Sequence, residues 1–314
     1  MSHLDSLSQT TVTSTLNDDW AVLAISGMDS AKFLQGQLTC NLQDITLQQS
    51  RLGAHCTHKG RMIASFRLLQ TAEQSYLFLL PKETLAALQK SLSKYIVFSK
   101  AKLHDASNDY VLRGISGANA RQRITEVFGA APETINTQHN SEHGTVICIN
   151  PTTPRYLCII PQAAAAAIES ALSASAQTTD QHFWNACDIR EGIGSVRTET
   201  IEEFIPQMLN LQVLDGISFT KGCYTGQEIV ARMQYRGILK KAMYRISSNG
   251  AAPLPNTAIF QENNTQAVGH IVNAENIDDK NWEALAVINH DAIAHALHLE
   301  NTASITVLTL PYTL

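Results

Sequence analysis

DWAVLAISGMDSAKFLQGQLTCNL, residues 19–42, is the stretch from which the fold is read. Its apolar run predicts a strand over 20–27. Asp29 or Ser30 then caps a helix that carries Phe33, Leu34 and Leu38 on one face. Working outward, strands over 55–69 and 76–80, a helix over 82–94 and a strand over 95–103 complete the order β-α-β-β-α-β. A second pass runs strand 110–115, helix 121–128, strands 145–150 and 155–160, and an Ala-rich helix over 162–174. The repeated order predicts two split β-α-β units of ferredoxin-like type that share or exchange strands.

Beyond residue 177 the character changes. A helical stretch around 183–191 leads into a long irregular segment containing FIPQMLNLQ (204–212), and long ordered loops are usually functional. From residue 237 come short β segments at 242–246, 258–261, 267–272, 283–288 and 304–309, which predict a small barrel or sandwich. The acidic stretch 275–283 reads as a solvated loop. The expected fold class is therefore α+β. Residues 1–236 are expected to form two intertwined α/β domains split near 104, with a further segment over 178–236, and residues 237–314 the barrel.

With 314 residues, 44% of them hydrophobic, the chain has enough apolar material for two or three domains. Its formal charge of -5 gives the whole molecule no attraction for nucleic acid. Locally the balance differs. Residues 221–245 hold six basic side chains against Glu228 alone, and residues 51–70 hold four with no acid. Such segments could meet around a polyanion or stand apart as solvated faces. The opening MSHLDSLSQTTV lacks a basic region followed by an apolar run, and no segment has the length to span a membrane, so a cytoplasmic location is expected. The six cysteines (Cys40, Cys56, Cys148, Cys158, Cys187, Cys223) contain no C-x-x-C pair, which argues against a disulfide framework and against a metal site built by this chain alone.

KGCYTGQE, Lys221 to Glu228, concentrates the chemistry. Thr225 and Glu228 have capping-box spacing, which predicts a helix from about Gly226 to a stop at Gly237. Cys223 then precedes a helix N-terminus, with Lys221 two residues upstream, and both favour the thiolate. Gly222 and Gly226 would allow the backbone close to whatever approaches the sulfur. The competing reading is a small buried cysteine in a tight loop.

On these segments the chain resembles the YgfZ family of folate-binding, tRNA-modification-associated proteins, relatives of the glycine-cleavage T-protein. KGCYTGQE carries the resemblance, continuing as IVARMQYRG through Arg236 to Gly237. DSAKFLQGQLTCNL (29–42), HKGRM (58–62), FIPQ (204–207) and AVGHIVN (267–273) support it. The resemblance implies a T-protein-like ring of three domains, two ferredoxin-like α/β units plus a small C-terminal β-barrel, binding tetrahydrofolate or a derivative. It implies folate contacts at Trp20 and Trp184, where an indole could stack on a flat ring. It makes Cys223 the key thiol, with Lys221 supporting the thiolate and Gly222, Tyr224, Thr225, Gly226, Gln227, Glu228 and Arg236 as supporting motif residues. No metal ligand is implied. Where the T-protein pattern has aspartates, Gly60 to Ser65 carry no carboxylate, and its arginine-x-glutamate falls on Asp188 and Arg190, so aminomethyl transfer is not expected.

The function implied is that of an accessory protein supporting assembly or repair of iron–sulfur enzymes, and thereby tRNA thiolation. Its partners would be iron–sulfur assembly proteins or iron–sulfur tRNA-modifying enzymes, because one cysteine cannot hold a cluster. The alternatives are a folate-dependent one-carbon transferase with Cys223 as nucleophile and a non-catalytic module that binds tRNA directly.

Overall fold

The computed structural model describes residues 10–174, 176–235, 237, 239–262, 264–300 and 304–314. The chain divides into two compact units. The first comprises residues 1–35, 41–51 and 66–184, the second residues 36–40, 52–65 and 185–314. Compactness thus groups the cysteine motif with the barrel, whereas the sequence reading grouped it with the α/β sheets.

Two sheets arise from the first part of the chain. Strands β1 (Val12–Thr15), β2 (Trp20–Ser26), β3 (Arg51–Cys56), β4 (Met62–Ala72), β5 (Ser75–Pro81) and β6 (Lys102–Asp105) come first. They are followed by β7 (Tyr110–Ser116), β8 (Gln138–Ser141), β9 (Gly144–Asn150), β10 (Arg155–Pro161) and β11 (Gln177–Thr179). One sheet has the order β3-β4-β5-β2-β6, the other β11-β1-β7-β10-β9-β8. Strand β1 leaves its own module and pairs with β7 antiparallel and β11 parallel, so the strand exchange is real. The helix expected to carry Leu38 spans only Ser30–Gln35, leaving Leu38 to bridge His55, and the strand expected over 55–69 is divided into β3 and β4 by the turn 57–61. The strand expected over 95–103 begins only at Lys102. Before it, Ile96–Phe98 forms a 3-10 turn.

The two modules repeat each other closely. WAVLAISG (20–27) and YVLRGISG (110–117) occupy equivalent strands, each ending in a glycine of positive φ, +131° at Gly27 and +99° at Gly117. Trp20 pairs with Pro81 and Tyr110 with Pro161. After each proline the chain makes a 3-10 turn whose first N–H, at Lys82 or Gln162, donates to the carbonyl of Asp19 or Asp109 at 2.8 Å. The helices Leu85–Ser93 and Ala165–Ser173 follow, and each buries a stripe at i, i+3, i+7: Leu85, Leu88, Leu92 and Ala165, Ile168, Leu172. In the second module, helices Ala120–Phe128 and Ala165–Ser173 cover the sheet over a core of Ile115, Val146, Tyr156 and Ile160. Gly129, at φ +88°, ends the first of these helices and donates to Thr125 O at 2.9 Å.

The second unit carries β12 (Lys241–Asn249), β13 (Ala258–Gln261), β14 (Ala267–Asn276), β15 (Asn281–Asn289), β16 (Leu297–Leu299) and β17 (Ser304–Leu308). They form a closed barrel of order β12-β15-β14-β13-β16-β17. Strand β16 escaped the sequence reading because three residues carry too little periodicity, and part of the expected acidic loop is strand, with Glu283 inside β15. Ile246, Ile271, Trp282 and Ile288 are among the residues that fill one barrel core. A second core joins barrel residues Met243, Val272, Leu285 and Val287 to Phe204, Leu209, Ile217 and Val230 of the long segment, and to Ala54, Cys56 and Met62. Burial of such side chains stabilises by about 1.5–3 kcal/mol each. It also explains how the long irregular segment is held in order. Among the described residues, no helix is long and apolar enough to cross a membrane.

Candidate functional site

The motif loop is built around a short segment, residues 36–40, of the same compact unit. On one side Leu38 bridges His55, and the hydroxyl of Thr39 accepts from Ala54 N at 2.9 Å while donating to Gly216 O at 2.7 Å. On the other side the loop holds the segment by backbone and side chain. Ser218 N donates to Thr39 O at 2.9 Å, Thr225 N to Gly36 O at 3.1 Å, and the Thr225 hydroxyl to Gln37 Oε1 at 3.2 Å. Lys221 supplies the strongest tie, its ammonium donating to Leu38 O at 2.8 Å and Cys40 O at 2.7 Å.

These ties revise the role expected for Lys221. Its ammonium is turned inward, 5.1 Å from the centroid of the Tyr224 ring, and both residues are buried. Burial lowers the Lys221 pKa to about 8 and raises that of the Tyr224 phenol. A buried cation seeks every available acceptor, and here the two carbonyls supply them. Lys221 is a peg that fixes the loop.

With the peg in place the loop displays Gly222 and Cys223 to solvent. Cys223 is the one exposed cysteine; Cys40, Cys56, Cys148 and Cys158 are buried and Cys187 is half-buried. Burial pushes the Cys56 and Cys158 thiols up, out of the range in which they would ionise. The two motif glycines differ. A Cβ on Gly226, whose φ is +87°, would lie 2.6 Å from Thr57 O and 3.1 Å from both Cys56 Cβ and Gly60 Cα; one on Gly222 would meet nothing within 4 Å. Gly226 serves an internal close approach to the β3–β4 turn, where Gly60 at φ +70° abuts Ile229. Only Gly222 leaves open space beside the thiol.

The helix after the motif spans Gln227–Tyr235. The expected capping box is replaced by other bonds. Thr225 gives its hydroxyl to Gln37, and Glu228 pairs with Arg232 at 2.8 Å on the exposed face. Gln227 is half-buried at the first helical position, its N–H donating to Tyr224 O at 3.1 Å. Arg236, the last motif residue singled out, lies outside the described residues.

The two tryptophans are placed by the first unit. Trp20 opens β2, half-buried, and its indole Nε1 is buried without a hydrogen-bond partner among the described residues. An orphaned donor costs about 1–3 kcal/mol, so a ligand acceptor there would be welcome. Trp184 differs from the expected open stacking platform. It is 2% exposed, with the Arg155 guanidinium 3.9 Å from its ring centroid, and a Cβ on Gly114 would come within 2.2 Å of its Cε3. Arg155 also donates to the Trp184 carbonyl at 3.2 Å. Buried against Arg155 and Gly114, this indole has no open face for a flat ligand. Sequence reasoning missed both neighbours. The module repeat holds the signal, since Gly114 falls where the first module has Ala24.

The T-protein-like positions are occupied by structural contacts. Met62 N donates to Phe204 O at 2.9 Å, Arg61 donates to Glu203 O, and Ser65 Oγ accepts from Val196 N at 2.9 Å. Arg190 pairs with Glu283 of β15 at 3.0 Å, and Arg245 of β12 pairs with the same carboxylate at 2.7 Å. Among the described residues no group of three or more His, Cys, Asp or Glu side chains could hold a metal ion.

No family model matches the chain. Over 304 residues it is 34% identical to the tRNA-modifying protein YgfZ of Yersinia pseudotuberculosis serotype IB (strain PB1/+), covering 95% of this chain and 91% of that protein. Among solved structures it is similar to the glycine cleavage system aminomethyltransferase T of Bartonella henselae. That match has a TM-score of 0.78 and 12% identity, and covers 98% of this chain and 88% of the other. At that identity the likeness shows the fold, which is T-protein-like.

Proposed function

The chain belongs to the YgfZ family of tRNA-modifying proteins, and on that premise we propose that it is a cytoplasmic, folate-binding accessory protein that supports assembly or repair of iron–sulfur enzymes and thereby tRNA thiolation. The observation that carries the reading is the display of Cys223, the one exposed thiol of six, on a loop pegged by Lys221 and closed by Gly226. A thiol so held is presented to a partner. Because a cluster takes several thiolate ligands, Cys223 works as one member of a set completed by another protein.

Tetrahydrofolate or a derivative fits the first unit in one respect. The orphaned Nε1 of Trp20 offers a donor to a heterocycle or carbonyl acceptor, and the indole offers a stacking surface. Trp184 would contribute from behind Arg155, as support for that cation. When bound, folate would supply a one-carbon carrier. Aminomethyl transfer finds little support, because Arg190 is committed to Glu283 and Gly60 to Ser65 carry no carboxylate.

The test is complementation in bacteria lacking their own family member, with thiolated nucleosides measured in total tRNA. The chain restores them; Cys223→Ser, folded and equally abundant, does not. Full restoration by the serine variant would sink the proposal. Titration of the purified chain with tetrahydrofolate, followed by tryptophan fluorescence, tests the ligand separately: saturable quenching weakens in Trp20→Phe.

A further inference from the structure

Far from the cysteine loop in sequence, the turn after helix Leu85–Ser93 presents an apolar face that the fold does not use. Phe98 is 99% exposed and Val97 71%, and Tyr95 is half out in solvent. The turn is firmly held. Tyr95 N donates to Leu92 O at 3.0 Å, Ser99 N to Ile96 O at 2.8 Å, and Lys100 N to Asp29 Oδ2 at 2.7 Å. Gly27, at φ +131°, lets the Lys100 carbonyl come where a Cβ would meet it at 2.3 Å. In a 3-10 turn side chains three apart align, so Tyr95 and Phe98 lie on the same side of Ile96–Phe98.

The surrounding charge is mainly basic, although the Asp29 carboxylate accepts from Lys100 N and Asp105 ends β6. Between Leu85 and His104 the sequence has Lys90, Lys94, Lys100 and Lys102 and no carboxylate, and all four lysines are exposed. Strand β6, which carries Lys102, pairs that residue with Ser26 at the opposite end of β2 from Trp20. Six residues of strand, about 20 Å, therefore separate this face from the candidate folate contact.

We propose that the Tyr95–Lys102 turn is a docking face for single-stranded RNA, with Phe98 and Tyr95 stacking unpaired bases and the lysines taking the phosphates. Aromatic faces set among lysines suit a chain of bases and phosphates, because every base has a π-face and every linkage a negative charge. The two aromatics would also suit a protein partner, but the four lysines would not, since lysine is depleted in protein interfaces. Duplex RNA fits less well still, because its base faces are hidden in the stack. The unpaired loops of tRNA have this chemistry. The net charge of -5 does not oppose it, because beyond a Debye length of about 8–10 Å other exposed charges are screened. The inference goes beyond the proposed accessory role, which acts on tRNA through other enzymes.

The experiment is fluorescence anisotropy of a labelled 12-nucleotide oligouridine titrated with the full chain at several potassium chloride concentrations. A duplex RNA of equal length serves as control. Saturable binding that favours the single strand is expected. Phe98→Ala, a surface change that leaves melting unaltered, weakens it about fivefold to a hundredfold. The double variant Lys94→Gln, Lys100→Gln lowers the slope of log affinity against log salt by about 1.4. Cys223→Ser binds like the parent, which separates this proposal from the accessory reading. Absence of binding, equal binding of duplex, or an unchanged Phe98→Ala affinity overturns it. Lost tRNA modification in Phe98→Ala cells with unchanged RNA affinity would assign the face to a protein instead.

Discussion

Replacing Gly226 by alanine tests how the cysteine loop is held. The added Cβ would sit 2.6 Å from Thr57 O and 3.1 Å from Gly60 Cα, both backbone atoms that cannot rotate away. Relief requires the loop and the β3–β4 turn to separate by several tenths of an ångström, an overpacking cost of about 1–3 kcal/mol. The backbone at φ +87° adds about 1–2 kcal/mol for a residue with a Cβ. Lower entropy of the unfolded chain returns about 0.4–1 kcal/mol. The net loss is about 1–4.5 kcal/mol, or about 2–18 °C in Tm at the usual 2–4 °C per kcal/mol for large domains. Gly222→Ala is the internal control, with nothing within 4 Å of its Cβ, and should change stability by less than about 0.5 kcal/mol. Scanning calorimetry on both variants decides the matter. A Gly226→Ala melt within a degree of wild type, or equal losses at both glycines, would refute the account of the loop.

Other outcomes follow from the same contacts. Because burial lowers the Lys221 pKa to about 8, the unfolded chain holds more protons than the folded one above that pH. Wild-type stability in denaturant melts should therefore rise, relative to Lys221→Met, between about pH 8 and 10; parallel curves would show that the ammonium is not buried. Brief iodoacetamide treatment of the native chain, read by peptide mass, should label Cys223 first and spare Cys56 and Cys158 until the chain unfolds. Gly114→Ala drives a Cβ to 2.2 Å from Trp184 and should cost about 1–3 kcal/mol while shifting tryptophan emission; an unchanged spectrum would mean that the indole is not packed there.

Much of the fold was legible because hydrophobic periodicity is a local signal. Helices Leu85–Ser93, Ala120–Phe128 and Ala165–Ser173 and the apolar strands β2, β5, β9 and β10 declare themselves in single stretches of sequence, whereas the first helix ends at Gln35, before Leu38. The turn Ile96–Phe98 misled because Tyr-Ile-Val-Phe has strand propensity, yet Val97 and Phe98 point to solvent and make no pairing. The tighter module repeat was present in WAVLAISG and YVLRGISG, but its meaning depends on the matched pairs Trp20–Pro81 and Tyr110–Pro161. At the site, spacing located Cys223 and its loop. It could not locate the acceptors that claim Lys221 and Thr225, since Leu38, Cys40 and Gln37 lie some 180 residues earlier. Trp184 illustrates the same limit, its ring covered by Arg155, a residue of strand β10.

The proposed service of Cys223 to iron–sulfur enzymes is tested by following cluster content. A purified iron–sulfur tRNA-thiolating enzyme, its cluster damaged by brief oxidation, is incubated with iron, sulfide, reductant and tetrahydrofolate, with or without this chain, and its recovered cluster is read by visible absorbance and electron paramagnetic resonance. Recovery should be accelerated by the chain and not by Cys223→Ser. Equal recovery with both proteins, or with neither present, would contradict the account.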